Sequence, residues 1–274
     1  MGIAAVRFYS PNISGAGQFH DQILRGQGTF GDEPAGKDPL KTPVIIFLRS
    51  GQTIALAKPL NTPPPPNLLA EVVFATDNLK KMKQYLAAQH TPITKNKQSD
   101  NDYFSVRDPE GHEIGFSESL FPFPSLTSTM IRIIHAGFVV HDRAAEDKFY
   151  KEILGFHVYW HGGMKDGEDN WVDMQVPDGT DWIEYMLGVS PSATHKTLGV
   201  MNHIALGVPD IHAAEQQLIK NGWKATEEPK IGRDGKWQLN LPDPDETRVE
   251  LMEFKPTKEP CCSPYTGPHP GPQQ

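Results

Sequence analysis

One pattern written four times constrains this chain more than any other feature. Leu69-Ala70-Glu71-Val72-Val73-Phe74-Ala75-Thr76-Asp77 and Asn202-His203-Ile204-Ala205-Leu206-Gly207-Val208-Pro209-Asp210 share one plan, a short strand that stops at an acidic residue and gives way to a helical run. The plan recurs at Ile133 to Asp142 and, more loosely, at Ala4 to Asn12. Asp or Asn at the end of each strand suits a helix N-cap, because its side-chain oxygen accepts from the orphan amides of the first turn. After Asp142 the apolar residues Ala144, Ala145, Phe149, Tyr150, Ile153 and Leu154 recur at three- and four-residue steps and stop at Gly155. After Asp210, Ala213, Ala214, Leu218 and Ile219 do the same and stop at Asn221-Gly222.

Strand signals follow each helix: Phe156 to His161, Trp171 to Val176 and Trp182 to Leu187, then Trp237 to Leu241 and Arg248 to Phe254. The module is therefore one strand, one helix and about three strands. Module ends also match across the halves, since Phe104 to Gly115 and Leu239 to Glu250 are each a strand, an Asp-Pro turn and a strand. Four βαβββ modules predict an α+β chain with two paired-module domains, residues 1–120 and 130–256. The Pro/Ser/Thr-rich stretch 121–129 is the expected linker, and Pro63 to Pro66 is a stiff spacer between the first two modules. Prolines at 256, 260, 264, 268, 270 and 272 predict an irregular tail over 257–274.

Composition removes several functions. Twenty-six Lys+Arg against 34 Asp+Glu give a net charge of −8, a sign that repels phosphate backbones and anionic lipid, so nucleic acid is not an expected partner. Apolar runs such as Val44 to Leu48 are far short of the roughly 20 residues of a membrane-spanning helix. No signal peptide is visible at Met1 to Ala5, so the expected setting is cytoplasmic. The two cysteines, Cys261 and Cys262, adjoin in the tail, where free thiols are expected and no disulfide framework can form. A metal in this chain must use His and carboxylates.

Counting back seven residues from each helix cap gives Ala5, Ala70, His135 and His203; the matching last strands carry Ala55, Gly115, Glu184 and Glu250. The C-terminal half thus offers two His and two Glu at equivalent places, where the N-terminal half offers no donor. Strand parity sets these four opposite to their bulky apolar neighbours, so they share a concave face, with Gly137, Ala205 and Gly207 giving them room. Four such groups in one concavity are costly unless paired, and one divalent cation would satisfy all of them. Trp182 and Arg248 lie two residues before Glu184 and Glu250 on the same face, with Met186 and Met252 placed similarly, and are candidates to line the pocket. His141, His157, His161, His195 and His212 are expected on surfaces or loops.

With these residues the chain resembles the vicinal oxygen chelate superfamily, which includes glyoxalase I, extradiol ring-cleaving dioxygenases, methylmalonyl-coenzyme A epimerase, and fosfomycin and bleomycin resistance proteins. The resemblance implies a metal site in a cupped sheet of paired βαβββ modules, with His135, Glu184, His203 and Glu250 on the four ligand positions. It implies an N-terminal half that keeps the fold without the metal. A mixed N/O set suits Fe, Mn, Co, Ni or Zn. Four protein donors leave two places on a six-coordinate ion, enough for one substrate chelating through vicinal oxygens. Because the glyoxalase I pattern uses all four, a lyase or isomerase acting through a metal-stabilised enediolate is the leading expectation, with Glu250 or Glu184 moving the proton. An extradiol dioxygenase, using His135, His203 and Glu250 alone, is the alternative; a small-molecule-binding protein without catalysis is the third. Monomer and homodimer both fit the layout.

Overall fold

A computed structural model describes residues 1–24, 28–31, 44–48, 50–94, 103–118 and 131–272. The N-terminal half runs β1 (Gly2–Tyr9), α1 (Ile13–Leu24), β2 (Gly28–Gly31), β3 (Val44–Leu48), β4 (Thr53–Ala57), β5 (Leu69–Ala75), α2 (Leu79–Ala88), β6 (Ile93–Thr94), β7 (Tyr103–Arg107) and β8 (Glu113–Ser117). The C-terminal half repeats it as β9 (Arg132–Val139), α3 (Arg143–Asp147), β10 (His157–Gly162), β11 (Trp171–Gln175), β12 (Trp182–Met186), α4 (His195–Met201), β13 (His203–Val208), α5 (Ile211–Lys220), β14 (Lys230–Ile231), β15 (Trp237–Pro242) and β16 (Arg248–Glu253). These are four βαβββ modules. Helix α4, not among the expected elements, is an addition between the third and fourth modules.

Each half forms one eight-stranded mixed sheet, in the orders β2-β3-β4-β1-β5-β8-β7-β6 and β10-β11-β12-β9-β13-β16-β15-β14. The first strands of paired modules meet antiparallel at the centre, and each has the last strand of its own module parallel on its outer side. The expected caps act: Asp142 accepts from Ala145 N at 3.0 Å and Asp210 from Ala213 N at 2.9 Å. Helix α3 continues into a π-helical turn, Lys148–Ile153, and ends at Gly155, whose φ of +77° a side chain would strain. In the second module the cap is Asn78, which accepts from Lys81 N at 2.8 Å, and not the expected Asp77. That single-residue shift matters below.

Apolar faces from both sheets and the helices merge into one buried cluster spanning the halves, with Phe74 edge-on to Phe156 at 5.5 Å between ring centres. Polar groups tie the two central strands together as well. Gln52 donates to the carbonyls of Ile3 and Ile133 at 2.8 Å each and accepts from Ile133 N at 2.7 Å. Buried Arg132 and Asp181 pair at 2.5 Å, and Asp181 also accepts from Ile3 N at 2.8 Å. The expected linker 121–129 lies outside the described residues.

The segment after β16 holds no helix or strand through residue 272, as its prolines require, yet it is no free tail. Thr257 N and Lys258 N donate to Gly235 O on one rim of the sheet. Cys261 N donates to Arg233 O there, and Trp160 Nε1 on the opposite rim donates to Cys261 O at 3.1 Å. Ser263 and Thr266 then bond the backbone of β10. The segment laces the two open edges of the C-terminal sheet and so closes one side of its cup. Cys261 and Cys262 are joined by a vicinal disulfide, which corrects the expectation of free thiols.

Candidate metal centre

Register explains how the four donors come to share one place. Across the sheet, Glu184 on β12 lies beside Gly137 on β9, which lies beside His203 on β13. One step along, His135 on β9 lies beside Ala205 on β13, which lies beside Glu250 on β16. Each His and its Glu thus flank one small residue, and the two triplets are related by the pseudo-twofold axis between the modules. The small residue is a steric requirement: a Cβ on Gly137 would stand 2.3 Å from His203 Cε1.

All four side chains converge. His135 Nε2 and His203 Nε2 are 3.1 Å apart, and Glu184 Oε2 is 3.2 Å from His203 Nε2 and 3.7 Å from His135 Nε2. Glu250 Oε2 stands 3.5 and 3.8 Å from the same two nitrogens. Both imidazoles and Glu250 are buried, whereas the Glu184 side chain keeps 15% exposure and so faces the cavity. His203 Nδ1 donates to Met201 O at 3.0 Å, which leaves Nε2 to face the carboxylates. His135 packs against Trp182 at 4.8 Å, and its Nδ1 is buried without a partner.

The protonation tendencies fit a cation site. Burial, followed by the adjacent His203, drives His135 well below the usual imidazole value, so it is neutral. Burial and Arg248 press on His203 too, but the bonds to Glu184 and Glu250 outweigh them and its value is raised. Burial raises Glu250, yet the His203 bond and the Arg248 charge win, and it stays below the usual carboxylate value. Two buried imidazoles facing two carboxylates, with no thiolate, form an N/O donor set suited to a first-row divalent ion. His135, His203 and Glu250 offer atoms all within 4.8 Å of one another, and Glu184 closes on the same two nitrogens. The residues present fit a metal.

A cavity of about 300 Å3 opens over this cluster. Trp182, Arg248 and Met252 line it as expected, but Met186, though buried, does not. Trp160, Trp171, Asp173, Arg233, Asp234 and Asn240 also line it and were not anticipated. Asp173 sits directly across from Glu184, so burial and that neighbour push its carboxyl well up. Parity within Trp171-Val172-Asp173 places it on the ligand face, a signal legible in the sequence. Nothing local marks Lys236, which is fully buried with its Nζ 4.4 Å from the Trp182 ring and 5.2 Å from those of Tyr159 and Tyr265. Burial lowers the Lys236 ammonium, opposed by Asp234 and Asp173.

None of the five histidines expected on surfaces or loops lines the cavity. His141 bonds Glu110, His161 bonds Asp169, His195 reaches the carbonyls of Pro66 and Asp245, and His212 packs on Trp237. His157 lies near Gly267 of the lacing segment.

In the N-terminal sheet, Ala5, Ala55 and Gly115 hold the places of His135, Glu184 and Glu250, as expected. The fourth place is corrected. Glu71 pairs with Arg7 as His203 pairs with Gly137, so Glu71, and not Ala70, is the counterpart of His203. The count from the cap missed it because the helix starts at Asn78. Glu71 Oε2 and Arg7 Nη1 are 3.2 Å apart, and a Cβ on Gly115 would meet the Tyr103 ring at 2.7 Å and Glu71 Oε1 at 3.0 Å. An ion pair and a phenol ring thus crowd the spot that the donors occupy in the other half.

A family model described as the glyoxalase/bleomycin resistance protein/dioxygenase superfamily matches residues 132–251, the segment that carries all four donors. The C-terminal half belongs to that superfamily. Solved structures similar to the whole chain extend the likeness to both halves. A halotolerant catechol dioxygenase is 17% identical over 92% of this chain and 86% of its own, with a TM-score of 0.66. The 2,3-dioxygenase LapB from Pseudomonas sp. KL28 is 12% identical over 99% and 94%, with a TM-score of 0.68. A catechol 2,3-dioxygenase is 14% identical over 99% and 96%, at 0.65. Such likeness establishes the shared four-module glyoxalase/dioxygenase fold. No curated protein matches by sequence. Among the described residues, no helix is long and apolar enough to cross a membrane.

Proposed function

We propose that the C-terminal half of this superfamily member is a divalent-metal-dependent enzyme acting on a small substrate that presents two neighbouring oxygens. His135, His203, Glu184 and Glu250 would hold the ion. When bound, the ion would supply Lewis acidity toward the substrate oxygens. The cavity walls Trp160, Trp171 and Trp182 exclude water from the centre and give a planar or apolar substrate body a surface to lie on.

The observation that carries the finer reading is Glu184, whose Oε2 reaches within 3.2 Å of His203 Nε2 while the side chain still opens to the cavity. Four donors leave room for a bidentate substrate and little else. A partly accessible Glu184 can take a proton from a substrate carbon at Oε2 and return it to the adjacent carbon, as a lyase or isomerase requires. The likeness to catechol dioxygenases favours the second reading, ring cleavage, in which His135, His203 and Glu250 hold the metal and Glu184 stands apart.

Metal content and turnover of the wild type beside Glu184→Gln separate the two. On the proton-transfer reading the variant binds its metal more weakly and loses turnover with the fold intact. Iron retained undiminished by Glu184→Gln, together with oxygen uptake on catechols, would replace that reading with ring cleavage. Failure of the wild type to take up any divalent ion would refute both.

A further inference from the structure

The cations around the cavity are not all equally partnered. A divalent ion would balance Glu184 and Glu250. Lys236 faces Asp234 and Asp173, and Arg233 is engaged by Asp166 and by Gly163 O at 3.1 Å. Lys230 sits exposed on the rim strand. That leaves Arg248, among the described residues the one guanidinium in the wall whose hydrogen-bond contacts are to a ring and not to an oxygen. Its Nη2 lies 2.8 and 2.6 Å from Nδ1 and Nε2 of His203, and its nearest carboxylate oxygen, on Glu250, is 4.0 Å away.

Neither imidazole nitrogen is a settled acceptor for it. Nδ1 already gives its proton to Met201 O, and near-equal distances to both nitrogens set Nη2 beside the body of the ring, off the in-plane direction in which Nε2 faces the carboxylates. Arg248 Nε is buried without any partner. Every other arginine described has an oxygen acceptor: Arg132 has Asp181, Thr180 and two carbonyls, Arg143 has Asp169, Arg107 has Gly111 O, and Arg7 has Glu71. A guanidinium with donors to spare in a partly dry cavity is a carboxylate receptor, because the planar fork matches two oxygens and charge-assisted bonds strengthen where water is scarce.

We propose that Arg248 is the specificity-determining residue of this cavity and that the substrate carries a carboxylate beside its vicinal oxygens, as a 3-hydroxy-2-oxo acid or a catechol carboxylate does. This inference rests on the metal reading above, and it holds for either reaction. Arg248 stands two residues from Glu250 on the same strand face, so its head group borders the donor cluster. A carboxylate bonded to the chelating carbons, or one carbon removed, reaches it while the oxygens face the ion. The Trp160 and Trp171 side of the cavity then takes the remainder of the molecule.

The test compares two probes that differ only in the charged group, hydroxyacetone and hydroxypyruvate, on cobalt-loaded protein, by titration calorimetry and by the visible bands of the bound ion. Wild type is expected to bind hydroxypyruvate at least tenfold more tightly than hydroxyacetone. Arg248→Met, which keeps the aliphatic stem, should bring that ratio to near one, and Arg248→Lys should restore part of it. A ratio unchanged in Arg248→Met, or cobalt-loaded wild type that binds neither probe or prefers the neutral one, overturns the role of Arg248 and leaves the metal reading standing. Absence of cobalt uptake by folded wild type overturns the metal reading, and this inference with it.

Discussion

Gly137→Ala isolates the geometry of the candidate metal centre without touching a charge. The added methyl would stand 2.3 Å from His203 Cε1 and 2.4 Å from Nδ1, where ordinary contacts begin near 3.4 Å. The imidazole must therefore retreat by about 1 Å, several times the ~0.2 Å that metal–ligand bonds tolerate. Even the loss of a supporting group costs roughly 10–100-fold in metal affinity, so displacement of a ligand should cost at least that, about 1.4–2.8 kcal/mol. The backbone itself should accept the change, since Gly137 is not among the positive-φ residues and alanine in a strand gains about 0.5–1 kcal/mol over glycine in chain entropy. Cobalt and zinc titrations of the two proteins, with thermal melts of the metal-free forms as control, read the effect. Wild-type affinity in Gly137→Ala with an unchanged melt would refute the placement of His203 in the donor set.

Two further outcomes concern buried polar groups outside the metal centre. Burial pushes Glu71 up to about 7, only partly offset by Arg7, so the folded state holds its proton between roughly pH 4.5 and 7 while the unfolded chain releases it. A raised acid costs stability as pH climbs through that window, so Glu71→Gln should stabilise the protein by about 2–3 kcal/mol at pH 8 and by almost nothing at pH 5; equal shifts in melting temperature at both would contradict it. Gln52→Leu strips Ile3 O and Ile133 N of the amide, while Ile133 O keeps its bond from Arg132 Nη1 at 3.2 Å, so it should cost about 2 kcal/mol or more in denaturant unfolding, and a loss below about 1 kcal/mol would show that water or a neighbour replaces the amide.

What the sequence determined by itself was periodic. Strand parity, Asx caps and stop glycines are local properties, and they placed every strand of the C-terminal sheet except β14 within a residue or two and set His135, Glu184, His203 and Glu250 on one face. The same locality explains the miss at Glu71: a cap read one residue early, at Asp77 in place of Asn78, shifts the inferred register by one and turns the wrong side chain inward. Only the tertiary structure decided whether strands 49 and 47 residues apart in sequence, Glu184 from His135 and Glu250 from His203, would curl until their side chains met. It also decided that the proline-rich end would lace the rims of the cup, that Lys236 would sink beneath Trp182, and that Arg248 would reach His203 with its nearest carboxylate oxygen, on Glu250, 4.0 Å away. Those outcomes depend on sheet curvature and on packing between chain-distant groups, and neither leaves a period in the sequence.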